Sequence, residues 1–204
     1  MQQRYPSQIL EEAVNAFSSL PGVGRKTALR LSLFALRQGG DWTTKFANAV
    51  SELGRSIRYC TVCHNVSDND VCDICSDTKR DHTTVCVVES VKEVMLIENT
   101  AQYHGVYHVL GGLISPINGI SPSDLEIDTL VARLADECSV VKEVIMALSP
   151  NMEGDTTAFY LYRRLAGYNV KITTIARGVA VGDDLEYADE ITLARSITNR
   201  IEYK

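Results

Sequence analysis

The sequence predicts an α+β protein of several modules in series: a helical N-terminal part, a small four-cysteine finger, an α/β unit with a mainly parallel sheet, and a C-terminal helical segment. Three observations carry that prediction. Apolar residues repeat at helical spacing between Pro6 and Ile57, four cysteines cluster between Cys60 and Cys75, and beyond Arg80 short β-rich runs alternate with helical stretches. A chain of 204 residues is long enough for one ample core or for two or three small modules. The expected boundaries are 1–58, 59–79, 80–176 and 177–204.

The first helix is expected from about Pro6 to Ser19, with Ile9, Leu10, Ala13, Val14 and Phe17 on one face. Leu20-Pro21-Gly22-Val23-Gly24 breaks it, and a second helix runs from Arg25 to about Gln38, ended by Gly39-Gly40. Asp41 is the expected N-cap of a third helix, in which Trp42, Phe46, Ala49, Val50, Leu53 and Ile57 form a stripe read as core.

The turn between the first two helices reads SSLPGVGRKTALRL. A phosphate-binding P-loop needs its second glycine directly before lysine, five residues after the first, and a strand in front. Here Arg25 separates Gly24 from Lys26 and a helix precedes, so that reading fails. A helix-turn-helix fits. Gly22 and Gly24 can take a positive φ or admit another backbone at close range. The amides of Val23, Gly24 and Arg25 lie near a helix N-terminus that favours phosphate, and Lys26 and Arg30 extend from one face four residues apart. Such contacts grip a nucleic-acid backbone without reading its sequence. The plainer alternative is a helical hairpin with solvated charges.

Cys60-Thr-Val-Cys63 and Cys72-Asp-Ile-Cys75 are two Cys-x-x-Cys knuckles eight residues apart. Each places two thiolates on one side of a tight turn, and a facing pair makes a tetrahedral sulfur site for one structural Zn²⁺. Redox-active pairs are the competing reading. With all four positions filled by protein, no place is left for a reacting water. His64 is a conceivable substitute ligand, and Cys86 and Cys138 read as small buried hydrophobes.

The strands of the α/β unit are expected at Thr84–Glu89, Val106–Leu110, Glu143–Leu148 and Val170–Ala176, and a last helix from Leu185 to about Asn199. The formal net charge of -6 hides an uneven distribution. Residues 1–58 carry eight Lys+Arg against four Asp+Glu, while the remainder is acidic, an asymmetry that suits polyanion binding confined to the N-terminal end; chance clustering of surface charge is the alternative. No export signal and no run of apolar residues long enough to span a membrane are visible, so a cytoplasmic protein without membrane contacts is expected.

Taken together, these segments resemble the RecR family of bacterial recombination mediators along nearly the whole chain. Leu20–Leu31 is similar to its helix-hairpin-helix, and Cys60, Cys63, Cys72 and Cys75 match its zinc finger. Val87–Glu89 and Ser149–Thr156 occupy the places of its Toprim motifs, and Arg177–Asp189 is similar to its C-terminal Walker B-like signature. The resemblance implies a protein that binds single- and double-stranded DNA without sequence preference and forms a ring-like homo-tetramer. It further implies action with RecO and RecF, helping to load RecA on gapped single-stranded DNA. Gly22, Gly24, Arg25, Lys26 and Arg30 are the expected DNA-binding positions. Arg25 and Ala180 stand where the family usually has proline, which loosens both loops.

Catalysis is not expected. Enzymes with a Toprim domain hold Mg²⁺ with a glutamate and an Asp-x-Asp. Glu89 is present, but the second place reads Ser149-Pro150-Asn151. Glu89, Glu153 and Asp155 are read as an acidic patch for a basic partner such as RecO. The alternative is a Mg²⁺-dependent nuclease or nicking enzyme that uses them as a weak cation site. Without a P-loop, Glu186 and Asp189 are read as holding the C-terminal region in the assembly.

Overall fold

A computed structural model describes residues 5–179, 182, 184–200 and 202. The chain divides into two compact units, residues 1–57 and 58–204.

The first unit holds three helices, α1 (Gln8–Ser18), α2 (Arg25–Gln38) and α3 (Gly40–Ser56). Val14 of α1 and Ala28 and Ser32 of α2 are buried between the first two helices, where small residues allow a close approach. Two sequence expectations are corrected in α3. Its N-cap is Gly39, at φ +82°, and Asp41 lies inside the first turn, where a carboxylate still favours the helix dipole. Its apolar stripe is not core in the isolated chain: Trp42, Phe46, Val50 and Leu53 are exposed and no residue of α3 is buried. Three helices in 57 residues have too little chain to cover a third apolar face. Aromatic contacts cover part of it, with Trp42 stacked on Phe46 at 5.4 Å and Phe34 edge-on to Trp42 at 5.5 Å.

The second unit opens with the finger: β1 (Arg58–Tyr59) pairs antiparallel with β2 (Val66–Ser67), and a single turn, α4 (Asp73–Ser76), follows. Then β3 (Asp81–Val88), β4 (Gly105–Val109), β5 (Glu143–Ala147) and β6 (Lys171–Thr174) form a four-stranded parallel sheet in the order β4-β3-β5-β6. The connections carry α5 (Val91–Glu98), α6 (Ile127–Ala135) and α7 (Met152–Leu165). The period-2 alternation of β3 sorts the core. Val85 and Val87 face a cluster containing Leu130, Leu134, Leu161 and Leu165 of α6 and α7. Cys86 and Val88 face Val94 of α5 and Tyr107 on the other side.

Two further expectations change. Cys86 is buried, but Cys138 is exposed, because α6 ends at Ala135 and the following loop carries Cys138 with its amide bonded to Asp136. The final helix is broken into a 3-10 turn at Leu185–Tyr187 and α8 (Glu190–Thr198). Asp189 causes the break: its carboxylate accepts from the amides of Ile191 and Thr192 and caps α8.

Candidate nucleic-acid interface, metal centre and sheet-end site

In the turn between α1 and α2, Gly22 sits at φ +75°, a region a side chain enters only with strain. Gly24 is extended and serves as the N-cap of α2, with no side-chain cap. The Val23 amide is spent within the turn on the Leu20 carbonyl, whereas the uncapped first turn of α2 presents its amides as anion donors. Lys26 and Arg30 line one groove of α2. Arg25 turns the other way, its guanidinium donating to Asn15 of α1 at 3.4 Å. Helix α2 has no acidic residue, and among the described residues none of its cations is ion-paired.

The sulfurs of Cys60, Cys63, Cys72 and Cys75 lie within 4.8 Å of one another, the one metal-ligand cluster found among the described residues. Cys63 and Cys72 are 3.6 Å apart, close to the edge of about 3.8 Å that a tetrahedron with Zn–S near 2.3 Å requires. Burial raises the Cys60 thiol, but the amides of Cys72, Val62 and Cys63 outweigh it and bring it down to about 7. Burial pushes Cys72 up to about 11, and Cys63 is raised chiefly by its hydrogen bond with Cys75. Four crowded sulfurs of this kind fit a divalent, sulfur-preferring ion, and the site is a structural zinc centre. His64 takes no part. At φ +61° it points to Glu126, 3.6 Å away, and packs on His108. The finger is tied to the sheet by the Val109 amide, which donates to the Cys63 carbonyl at 2.8 Å.

In the sheet, the chain leaves β3 toward β4 on one side and returns to β5 on the other, so the ends of β3 and β5 flank a topological switch point. Glu89 and Ser149 follow these two strands, and the Ser149 hydroxyl donates to Glu89 Oε1 at 2.9 Å. Glu89 Oε2 is buried without a hydrogen-bond partner. Gly154 permits α7 to start against this strand end, since a Cβ there would lie 1.9 Å from the Ser149 carbonyl oxygen.

The three carboxylates expected to share a patch are engaged separately. Glu153 accepts from the Ser115 hydroxyl. Asp155 pairs with Arg177 at 2.6 Å and Arg195 at 3.5 Å, and the Arg177 guanidinium holds its carboxyl below the usual range. They do not converge as metal ligands with Glu89. Arg177, which opens the Arg177–Asp189 stretch, and Arg195 of α8 line a cleft of ≈ 490 Å³ with Asn151, Asp155 and Asp189, a pairing with no signal in local spacing. Ala180 lies outside the described residues. Glu186 sits in the 3-10 turn before α8 and forms no ion pair among the described residues.

A helical hairpin with an uncapped helix start, a four-sulfur zinc finger and a parallel sheet with a glutamate at its switch point make a modular zinc protein. Family models match every module in order. Those described as "RecR, helix-hairpin-helix" and "RecR, C-terminal" match residues 10–53 and 178–201, that of the RecR four-cysteine zinc finger domain matches 57–77, and "Toprim domain" matches 83–176. The chain is 62% identical over 203 residues to Recombination protein RecR of Parabacteroides distasonis, covering 100% of this chain and 97% of that one. The same-named proteins of Porphyromonas gingivalis and Flavobacterium johnsoniae are 58% and 51% identical, over 100% and 98% of this chain and 97% and 96% of theirs. The chain belongs to the RecR family of recombination proteins, with a role in recombinational repair. No helix among the described residues is long and apolar enough to cross a membrane.

Proposed function

We propose that this chain is a non-catalytic, DNA-binding recombination mediator, a ring-like homo-tetrameric clamp that acts in the cytoplasm with RecO and RecF to promote RecA loading on gapped single-stranded DNA. The groove on α2 carries the reading: Lys26 and Arg30 stand beside an uncapped helix N-terminus with no acidic side chain on the helix. Backbone contacts of this kind bind single- and double-stranded DNA without sequence preference and weaken steeply with salt. The uncovered apolar stripe of α3 supports self-association.

A Toprim sheet that does chemistry gathers carboxylates around Mg²⁺. Here Ser149 and Asn151 stand in the places of two of them, and Asp155 is already neutralised by arginines. Glu89 and Glu153 remain candidates for contact with a basic partner such as RecO.

Lys26→Ala combined with Arg30→Ala should abolish salt-sensitive binding of a labelled DNA while zinc content and helicity survive. Parental affinity in that double variant would refute the hairpin assignment. A Mg²⁺-dependent nuclease or nicking enzyme is the second reading, favoured by the orphaned Glu89 Oε2. Mg²⁺-dependent cleavage that disappears in Glu89→Gln would establish it.

A further inference from the structure

The groove that holds Lys26 and Arg30 does not stop at the glycine turn. It is lined by Lys26, Thr27, Leu29, Arg30, Leu33 and Arg37 and encloses ≈ 320 Å³. Three cations and an apolar floor therefore share one side of a single helix. Lys26 and Arg37 are eleven residues apart, about 16 Å along the axis at 1.5 Å per residue. Successive phosphates of one strand advance by about 3.4 Å in a duplex, so the groove reaches past several of them.

The far end of the groove is the place where an anion should fare worst. It is the C-terminal end of α2, where the helix dipole is negative and the last carbonyls are unpaired. Arg37 stands there in the last turn, its Nε donating to the Leu33 carbonyl at 3.3 Å. That bond fixes the start of the guanidinium, leaving both Nη groups without an ionic partner among the described residues. Arg25, by contrast, is turned toward Asn15 and does not line the groove.

We propose that Arg37 is a third phosphate-contacting residue, so that one DNA strand runs along α2 from Lys26 to Arg37 with its sugars over Leu29 and Leu33. This rests on the hairpin reading above and deepens it. The turn amides and Lys26 take the first phosphate at the positive pole. Arg30 takes the next, and Arg37 offsets the negative pole so that the strand can continue.

The test is a salt series of labelled oligo-dT binding, followed by anisotropy. Four proteins are compared with the parent: Arg37→Gln, Arg37→Lys, Lys45→Gln and the double variant Lys26→Ala with Arg30→Ala. Lys45 is a cation of α3 outside the groove. Arg37→Gln should lower the slope of log K against log salt by about 0.7, the loss of one single-strand phosphate contact, which is about a threefold change across a fourfold salt range. Arg37→Lys should restore the slope, and Lys45→Gln should leave it at the parental value.

If the double variant loses binding while Arg37→Gln keeps the parental slope, Arg37 is only a helix-terminal cation; the groove inference falls and the hairpin reading stands. If the double variant binds like the parent, both fall together. An equal loss in Lys45→Gln and Arg37→Gln would mean diffuse electrostatics and would also overturn the assignment. Circular dichroism of Arg37→Lys and Arg37→Gln separates a lost contact from a frayed helix, because only fraying changes helicity.

Discussion

Replacing Glu98 with glutamine would remove one charge from a pair that joins three elements of the sheet unit. Arg80, directly before β3, donates from both Nη atoms to the Glu98 carboxylate at the end of α5. The same Nη1 reaches the Gly105 carbonyl at the start of β4, 3.0 Å away, and the Tyr107 hydroxyl donates to Glu98 Oε1 at 2.6 Å. The side chains of Arg80 and Glu98 are 17% and 28% exposed, so solvent screens the pair only partly. In Glu98→Gln, Tyr107 keeps an oxygen to donate to, but Arg80 loses one of its two charge-assisted bonds and faces an amide instead of an anion. The expected cost is about 3 kcal/mol, between a charged hydrogen bond and a broken buried pair. In a unit of this size that lowers Tm by roughly 6–12 °C.

The assay is thermal unfolding by near-UV circular dichroism across a pH series. The hydrogen bond from Arg80 holds the Glu98 carboxyl below its ordinary value. The stabilisation from the charge is therefore complete above the ordinary glutamate range, near pH 4.3, and is lost as pH falls through the lower folded value. The parent and Glu98→Gln curves should converge in acid. A Tm difference below about 1 °C at neutral pH, or a gap that persists unchanged in acid, would refute the reasoning.

Two further outcomes are expected beside the binding tests above. Stripping zinc with a chelator should raise amide exchange by about tenfold or more at Cys60, His64 and Val109, since the Val109 bond to Cys63 depends on the finger keeping its shape; unchanged protection would show that the finger holds without metal. Gly154→Ala should cost about 3 kcal/mol in thermal or urea unfolding, because the added Cβ meets backbone that cannot swing aside; a loss below about 0.5 kcal/mol would mean that α7 shifts freely.

Local chemistry was legible in advance where a short stretch carries its own constraint. Two Cys-x-x-Cys knuckles are a metal site by spacing, because each pair needs only one tight turn to bring its sulfurs together. The bounds of α2 were equally plain, since glycines mark both ends of an unbroken helical run. The alternating β-rich and helical runs foretold a parallel sheet, as parallel strands require long crossovers. The break before α8 does not follow from periodicity, because the Asp189 side chain competes for amides that a continuous helix would bond.

What the sequence by itself determined is therefore the module order, the four zinc ligands and the cations of α2. Each follows from residues adjacent in the chain or one turn apart. Only the tertiary structure decided that Asp155 is neutralised by Arg177 and Arg195, that Glu89 meets Ser149, and that Arg25 donates to Asn15 of α1. The first two join residues 22, 40 and 60 positions apart, and sheet order sets such distances, not spacing along the chain. Helical spacing alone places Arg37 on the face of Lys26 and Arg30, but only the packing of α1 against α2 puts Asn15 in reach of Arg25.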